Sequence, residues 1–519
     1  MAFVLIIGSS GCTAAVADVP AIASPMSSTA DAPSNDAAGD DGSGGARDQF
    51  VQDGDLHPGM VRGKVLTDSG QMVTAGIIIE DENGNRWRTV TNPLSGFNLR
   101  LQPGTYTLTF TRGPEYTTVT KEVWVESYKV NYMQDIRLVQ MFDTYSRGWI
   151  AGDLHMHTFY SDGADSVDEQ LYSNISTGLY FGFLTDHNTA RGLSEWVQGN
   201  RVVANIDSEG NERPFFAFEG LEVTTEFGHY QSLGVGLAFD TYEVLLREIE
   251  RSKKGEELDE IIKNKIIYIA ETIRREGGVP QINHPFSSNT MGFNYWEIAH
   301  YFDTIEIWNG VFVPGDGRYE SDNPSMQEQN YRSKMKWYEL LNEVKNGGKY
   351  FAATGGTDNH ETASAYRPQM ELGDTITSME EYNELYRRND KYSGVPTTFV
   401  YCPDEINQEN VLEALRNGNS FISNGIIVLA DVDGISYGNT AEIGEEGVTL
   451  NIEAYCPHGF EGIQIIKNGE VMKEITLDKS TTLYDESVTL EGISADDWIV
   501  LEVFGVETYY AITNPIFFA

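Results

Sequence analysis

The chain has 519 residues, with 78 Asp and Glu against 36 Lys and Arg, a formal net charge of −42, and three cysteines. That length exceeds what one hydrophobic core organises, so two or three domains are expected, and the charge disfavours sequence-independent binding to nucleic acid. No Cys-x-x-Cys pair exists, which excludes a thiolate zinc finger and a dithiol redox site, and no run of about 18 apolar residues offers a membrane-spanning helix.

Residues 1–8 are almost entirely apolar, and the small residues Ser9, Ser10 and Gly11 then run into Cys12. This 1–12 segment resembles the end of a bacterial lipoprotein signal. The resemblance implies lipidation at Cys12 and an exported protein facing outside the cytoplasm, with membrane association only through that anchor. Residues 13–58 are dominated by Ala, Ser, Asp, Gly and Pro, a composition expected of a flexible linker. Over 59–140 the pattern changes to short alternating stretches at 61–65, 76–80, 106–110 and 123–125. Turn signals at Glu82-Asn83-Gly84-Asn85, Pro103-Gly104 and Gly113-Pro114 separate them, which predicts a small β-sandwich. Its late Pro-Gly-x-Tyr turn resembles the carboxypeptidase regulatory-like, prealbumin-type domain.

Strands and helices alternate over 148–425. Strands are predicted at 149–152, 180–184, 214–218, 279–282, 304–308 and 350–353, and helices at 258–276, 326–345, 379–388 and 409–416. Such alternation predicts an α/β barrel or a doubly wound sheet. Residues 426–519 return to short strands at 448–452, 462–466 and 498–504, predicting a second β-sandwich. Cys402 and Cys456 fit either a disulfide or two buried thiols.

Six of the nine histidines fall in five polar motifs at predicted strand ends. These are Asp153-Leu154-His155-Met156-His157 with Asp162, Asp186-His187-Asn188, Glu222 with His229, Asn283-His284-Pro285, and Asp358-Asn359-His360. In extended backbone, residues two apart project to one side, so His155 with His157, and Asp358 with His360, each present two ligands to one cavity. Imidazole and carboxylate donors without thiolate suit zinc, manganese or iron. Nine candidate ligands exceed the four to six that one ion takes, so two or three divalent ions are expected.

In this order the motifs resemble the polymerase and histidinol phosphatase (PHP) superfamily. The resemblance implies a multidomain chain whose central part is a distorted seven-stranded α/β (TIM-like) barrel, flanked here by two β-sandwiches. It also implies ligand sets: His155, His157, Glu222 and Asp358 for one ion; Glu222, His229 and His284 for a second; Asp162, His187 and His360 for a third. The segment from Leu415 to Gly425, followed by strands that end in Thr513-Asn514-Pro515-Ile516, is similar to the branch that contains carbaryl and carbofuran hydrolases.

The expected chemistry is hydrolysis of a small molecule by a metal-activated water. Asp186 is placed to orient His187 from behind, and Asn188, Asn283, Asn359 and Arg191 are candidates to meet substrate. A phosphoester is the first substrate class. Arg191 is the one cation near the motifs, with Arg332 and Arg367 farther off, and that scarcity keeps a carbamate, carboxylic ester or amide open. A non-catalytic surface binding protein with structural metals is the reading from another class.

Overall fold

The computed structural model of the chain describes residues 58–207, 209–287, 291–314, 324–362, 393–444 and 447–519. Cys12, the linker up to residue 57, the helix predicted over 379–388 and Arg367 lie outside them. Among the described residues no helix is long and apolar enough to cross a membrane.

The stretch after residue 58 folds as two main sheets and a short parallel pair, Val65–Thr67 with Ile136–Leu138, around their own core. One has four antiparallel strands in the order Arg86–Val90, Gly76–Asp81, Gly104–Thr111, Val119–Val125; the other has Phe97–Leu101, Gly59–Gly63 and Val130–Tyr132. Gly104–Thr111 buries every second residue, as its alternation requires, and Val61, Ile77, Leu99, Leu108, Phe110 and Val123 meet in the core. Buried cations tie this unit to the central part of the chain. The Arg112 guanidinium donates to the carbonyls of Thr74, Ile175 and Ala204, and Arg88 Nη2 donates to Ser176 Oγ at 2.9 Å.

Nine strands carry the central sheet: β1 (Trp149–Asp153), β2 (Phe181–Leu184), β3 (Phe216–Thr225), β4 (Gly228–Leu233), β5 (Val279–Ile282), β6 (Thr304–Asn309), β7 (Ala352–Gly356), β8 (Thr397–Tyr401) and β9 (Ser420–Ser423). Their spatial order is β7-β6-β5-β4-β3-β2-β1-β8-β9. Strands β1, β2 and β3 pair in parallel, as do β5, β6 and β7, while β4 runs antiparallel to both β3 and β5. Strands β1, β5, β6 and β7 are buried along their whole length, so the polar side chains they carry, Asp153, Gln281 and Glu306 among them, find their partners inside the protein. Just past β7, Thr357 donates from N and Oγ1 to Asp153 of β1, and Met156 bridges Asn359, so the two ends of the seven-strand run are joined.

The strand predicted over 214–218 divides at Pro214, which has no N–H to continue a ladder. Glu212–Pro214 pairs with Val203–Ile206, and β3 starts at Phe216. The strand predicted from residue 350 begins at Ala352.

The helices lie where sequence punctuation puts them. Helix α1 (Val167–Ser176) opens with a Ser166–Glu169 capping box, and α2 (Glu256–Arg275) starts acidic and ends basic, matching its dipole. Helix α3 (Pro324–Val344) packs on β6. Helix α4 (Gln408–Asn417) is capped by Asn407 and ends on Gly418 in the left-handed region, where a Cβ would stand 1.9 Å from Tyr350 Oη.

The C-terminal strands divide between two sheets. Ile427–Val432, Val448–Tyr455 and Leu483–Leu490 form one, while Tyr510–Thr513 pairs with β9 and carries the central sheet on through Trp498–Gly505 and Phe460–Lys467 to Glu470–Thr476. Cys402 and Cys456 are free, buried thiols.

Candidate metal centre

Strand direction decides where the polar motifs meet. The carboxyl ends of β1, β2, β5 and β7 deliver His155 and His157, His187, His284, and Asp358 and His360 to one end of the sheet. Because β4 is antiparallel, its amino end reaches the same place and brings His229 opposite Thr224, two residues past Glu222. All nine sequence-predicted ligands come together in four overlapping groups: His157, Asp162, His187 and His360; His155, His157 and Glu222; His155, His284 and Asp358; and His187, Glu222 and His229.

Glu222 and Asp358 are the hubs. His155 Nε2 lies 3.4 Å from Glu222 Oε1 and 3.3 Å from Asp358 Oδ1, and His157 Nε2 lies 3.5 Å from Glu222 Oε2 and 3.0 Å from Asp358 Oδ1. Glu222 Oε1 is also 3.2 Å from His229 Nδ1 and 3.3 Å from His284 Nε2. Toward solvent, Asp162 Oδ2 is 3.4 Å from His187 Nε2 and 3.2 Å from His360 Nε2. The Asp162 side chain is 55% exposed whereas His155, His157 and Glu222 are fully buried, so the cluster opens on the Asp162 side.

These residues fit metal ions better than they fit one another. Ligand bonds of about 2.1 Å in a tetrahedral shell put donor atoms roughly 3.4 Å apart, and most of the separations here are near that length. His155 Nε2 is buried with no hydrogen-bond partner, an expensive arrangement unless something else engages it, while Glu222 Oε2 lies 2.7 Å from His187 Nδ1. Three other ring nitrogens are tied down, whereas His157 Nδ1 and His284 Nδ1 have no hydrogen-bond partner among the described residues. His155 Nδ1 donates to Glu306 Oε1 at 2.9 Å, His360 Nδ1 donates to the Asp358 carbonyl at 2.9 Å, and His187 Nδ1 meets Thr224 Oγ1. Fixing one ring nitrogen so that the other faces inward is how proteins present imidazole to a metal.

The electrostatics point the same way. Burial works to raise the Glu222 carboxyl, but His155, His187 and His229 hold it well below the ordinary range; Asp358 is likewise held down, chiefly by His155 and His157. Burial works to lower His155, yet Asp358, Glu306 and Glu222 raise it well above normal, and His187 is raised to about 10 by Glu222 and Asp162 against the same penalty. Burial instead wins at His157, pushed down to about 4. Two of the nine residues sit at positive φ, Asp358 at 48° and His284 at 24°. The second is pinned by Glu306 Oε2, which accepts from His284 N at 2.9 Å.

Glu306 was missed from the sequence. It is 1% exposed in the middle of β6, and also accepts from Asn309 Nδ2 at 3.1 Å. Its signal was a carboxylate inside the apolar run Ile305-Glu306-Ile307, which no strand buries without partners. Gln170 was missed too; from α1 its Nε2 donates to the carbonyls of His157 and Asn359, joining two ligand loops.

Other anticipated residues have different tasks. Asp186 serves the 158–161 loop rather than the His187 ring, accepting from Thr158 N, Thr158 Oγ1 and Ser161 Oγ, each at 2.7 Å. Both ends of the Asn188 amide bond the Thr224 backbone, and Asn283 Nδ2 donates to Glu222 Oε1 at 2.8 Å. Asn359 Oδ1 accepts from Glu361 N. Arg191 and Arg332 are exposed, their guanidinium groups lying 5.7 Å from the Tyr160 ring and 4.4 Å from the Phe286 ring. Among the described residues no Lys or Arg forms an ion pair with any of the nine.

No family model and no curated protein matches the sequence. Among solved structures the chain is similar to a two-domain protein from Bacteroides vulgatus containing a predicted PHP-like metal-dependent phosphoesterase, at 15% identity over 70% of this chain and 95% of that one, with a TM-score of 0.35. It is also similar to an amidohydrolase from Chromobacterium violaceum, at 16% identity over 40% of this chain and 87% of that one, with a TM-score of 0.25. At TM-scores this low neither likeness bears on the chemistry, which rests on the side chains.

Proposed function

We propose that the chain is a PHP-type metal-dependent hydrolase that cleaves phosphoester bonds with a metal-activated water. The observation that carries this reading is the convergence of six imidazoles and three carboxylates on one cluster, in which the inward His155 Nε2 has no hydrogen-bond partner while its Nδ1 is anchored on Glu306. The join between β7 and β1 through Thr357 and Asp153 supports closure of the seven strands into the distorted barrel of that superfamily. The flanking β-rich segments support its carbaryl- and carbofuran-hydrolase-like branch.

Two or three divalent ions, zinc, manganese or iron, would supply a water of lowered pKa and positive charge for the oxyanion that forms as the bond breaks. His155, His157, Glu222 and Asp358 would hold the most buried ion, Glu222 would be shared with a second held by His229 and His284, and Asp162, His187 and His360 would hold the one nearest solvent. Substrate enters from the Asp162 side, where the cluster is open.

One observation favours a second substrate class. Arg191 and Arg332 lie over aromatic rings and, among the described residues, no Lys or Arg pairs with the cluster, whereas phosphomonoesterases gather Arg or Lys around the non-bridging oxygens. A neutral carbamate, carboxylic ester or amide fits that surrounding. Metal analysis of the purified chain decides first, with at least two ions per chain expected. Parallel assays of an aryl phosphate, a phosphodiester, an aryl carbamate and an aryl ester with manganese, zinc and iron then separate the classes. Fewer than two ions, together with hydrolysis unchanged in His155→Ala, would return the chain to the binding-protein reading.

A further inference from the structure

The proposed reaction uses one end of the central sheet and leaves the N-terminal sandwich without a task, yet that sandwich is electrostatically unlike the rest. Residues 59–140 contain nine Lys and Arg and eight Asp and Glu, a formal +1, so the remainder of the chain carries −43.

Strand register sorts its cations onto one face. Gly59–Gly63 lies between Phe97–Leu101 and Val130–Tyr132, with Arg62 paired to Asn98 on one side and Tyr132 on the other, and Met60 paired to Arg100 and Val130. Val61, Leu99 and Leu101 point into the core, so the pleat turns Arg62, Asn98, Arg100 and Tyr132 outward, and Lys64 continues that row beyond the strand end. Arg62, Lys64, Asn92, Asn98 and Tyr132 line a groove of about 570 Å³ that has no acidic lining residue. Its floor is two glycines: a Cβ on Gly96 would lie 2.2 Å from the Gly63 carbonyl oxygen, so only bare backbone fits there.

These cations are unspent. Arg62 Nε donates to Asn98 Oδ1 at 3.1 Å, and among the described residues no carboxylate pairs with Arg62, Lys64 or Arg100. Elsewhere Lys253, Lys263, Lys336 and Lys479 each hold a glutamate. In a chain with more than twice as many acids as bases, three neighbouring cations with no carboxylate ion pair among the described residues lie on one face with a tyrosine that is 72% exposed.

We propose that this groove binds a linear carboxylated polysaccharide, with Arg62 and Lys64 in the groove, and Arg100 on the same face beside it, meeting its carboxylates and the Tyr132 ring lying against a sugar face. A bilayer is a poorer fit, because Trp124 emerges from the outer face of the other sheet, opposite Thr105, and does not form one flat belt with Tyr132. Nucleic acid is poorer still, since its charge density meets repulsion from the −43 of the remaining chain.

The test uses the full chain in affinity electrophoresis through gels containing polygalacturonate, with neutral dextran and phosphatidylglycerol vesicles as comparisons. Polygalacturonate should retard the protein at about 20 mM salt and lose about tenfold in affinity at about 500 mM, as screening predicts, while dextran leaves it unmoved. The double variant Arg62→Gln/Lys64→Gln should weaken retention at least about tenfold, and Tyr132→Ala severalfold, with metal content unchanged in both. Retention absent on polygalacturonate, equal in the double variant, or found only with vesicles overturns the proposal. None of these outcomes bears on the hydrolase reading, whose residues lie in the central sheet.

Discussion

Replacing Glu306 by Gln changes one atom and should disable a metal ligand that it never replaces. The carboxylate accepts three hydrogen bonds: His155 Nδ1 at 2.9 Å and, on the other oxygen, His284 N at 2.9 Å and Asn309 Nδ2 at 3.1 Å. The backbone N–H of His284 can only donate, so the new amide must keep its oxygen there and turn its NH2 toward His155. Two donors then face each other unless His155 moves its proton to Nε2, the nitrogen that looks at Glu222 and Asp358. Either result costs a lone pair at the centre. Loss of such an outer partner weakens metal binding by about 10- to 100-fold, roughly 1.4–2.7 kcal/mol. Competition against a chromophoric chelator measures it, with Glu306→Asp as the variant that keeps an acceptor. An affinity for Glu306→Gln within twofold of the parent, with equal hydrolysis, would refute the claim that His155 is held in one tautomer by Glu306.

Glu222→Gln removes the carboxylate that touches five imidazoles, and should cost at least one ion per chain by elemental analysis and about a thousandfold in hydrolysis, on the order of 4 kcal/mol. In chelator, the His187 contribution to stability is complete below its ordinary pKa near 6.5 and is lost as pH rises through about 10, because the folded state holds that proton more tightly. Thermal midpoints of the metal-free protein should therefore fall from pH 7 to 10, while metal affinity rises over the same range as protons leave the ligands. Far from the centre, burial pushes Glu115 up to about 7 although Thr144 donates to it from both N and Oγ1. Its folded value exceeds its unfolded one, so stability is full below about pH 4.5 and declines by about 3 kcal/mol as pH rises to 7. Glu115→Gln should flatten that decline in urea titrations, and an unchanged slope would show that the carboxyl is ionised throughout.

The ligand types and their local spacing were legible in the sequence because they depend on neighbours. His155 and His157 face one way since extended backbone has a period of two, and α4 lies over the predicted 409–416, whereas α1 went unpredicted although Ser166 and Glu169 cap it. Six of the nine central strands followed from apolar runs for the same reason, whereas β4, β8 and β9 went unpredicted and the strand over 214–218 divides at a proline that cannot donate. What the sequence could not hold is which atoms meet across long separations. Glu306 reaches His155 over 151 positions, Asp186 turned to Thr158 and Ser161 rather than to its neighbour His187, and the C-terminal strands joined the central sheet through Thr513 and Phe421. Those outcomes depend on strand order, on the reversed direction of β4 and on register, each set by how whole sheets bury their faces against one another. Residue chemistry therefore marked out nine candidate donors, and tertiary packing alone decided how their imidazoles are turned, which carboxylate is shared and which holds a ring from behind.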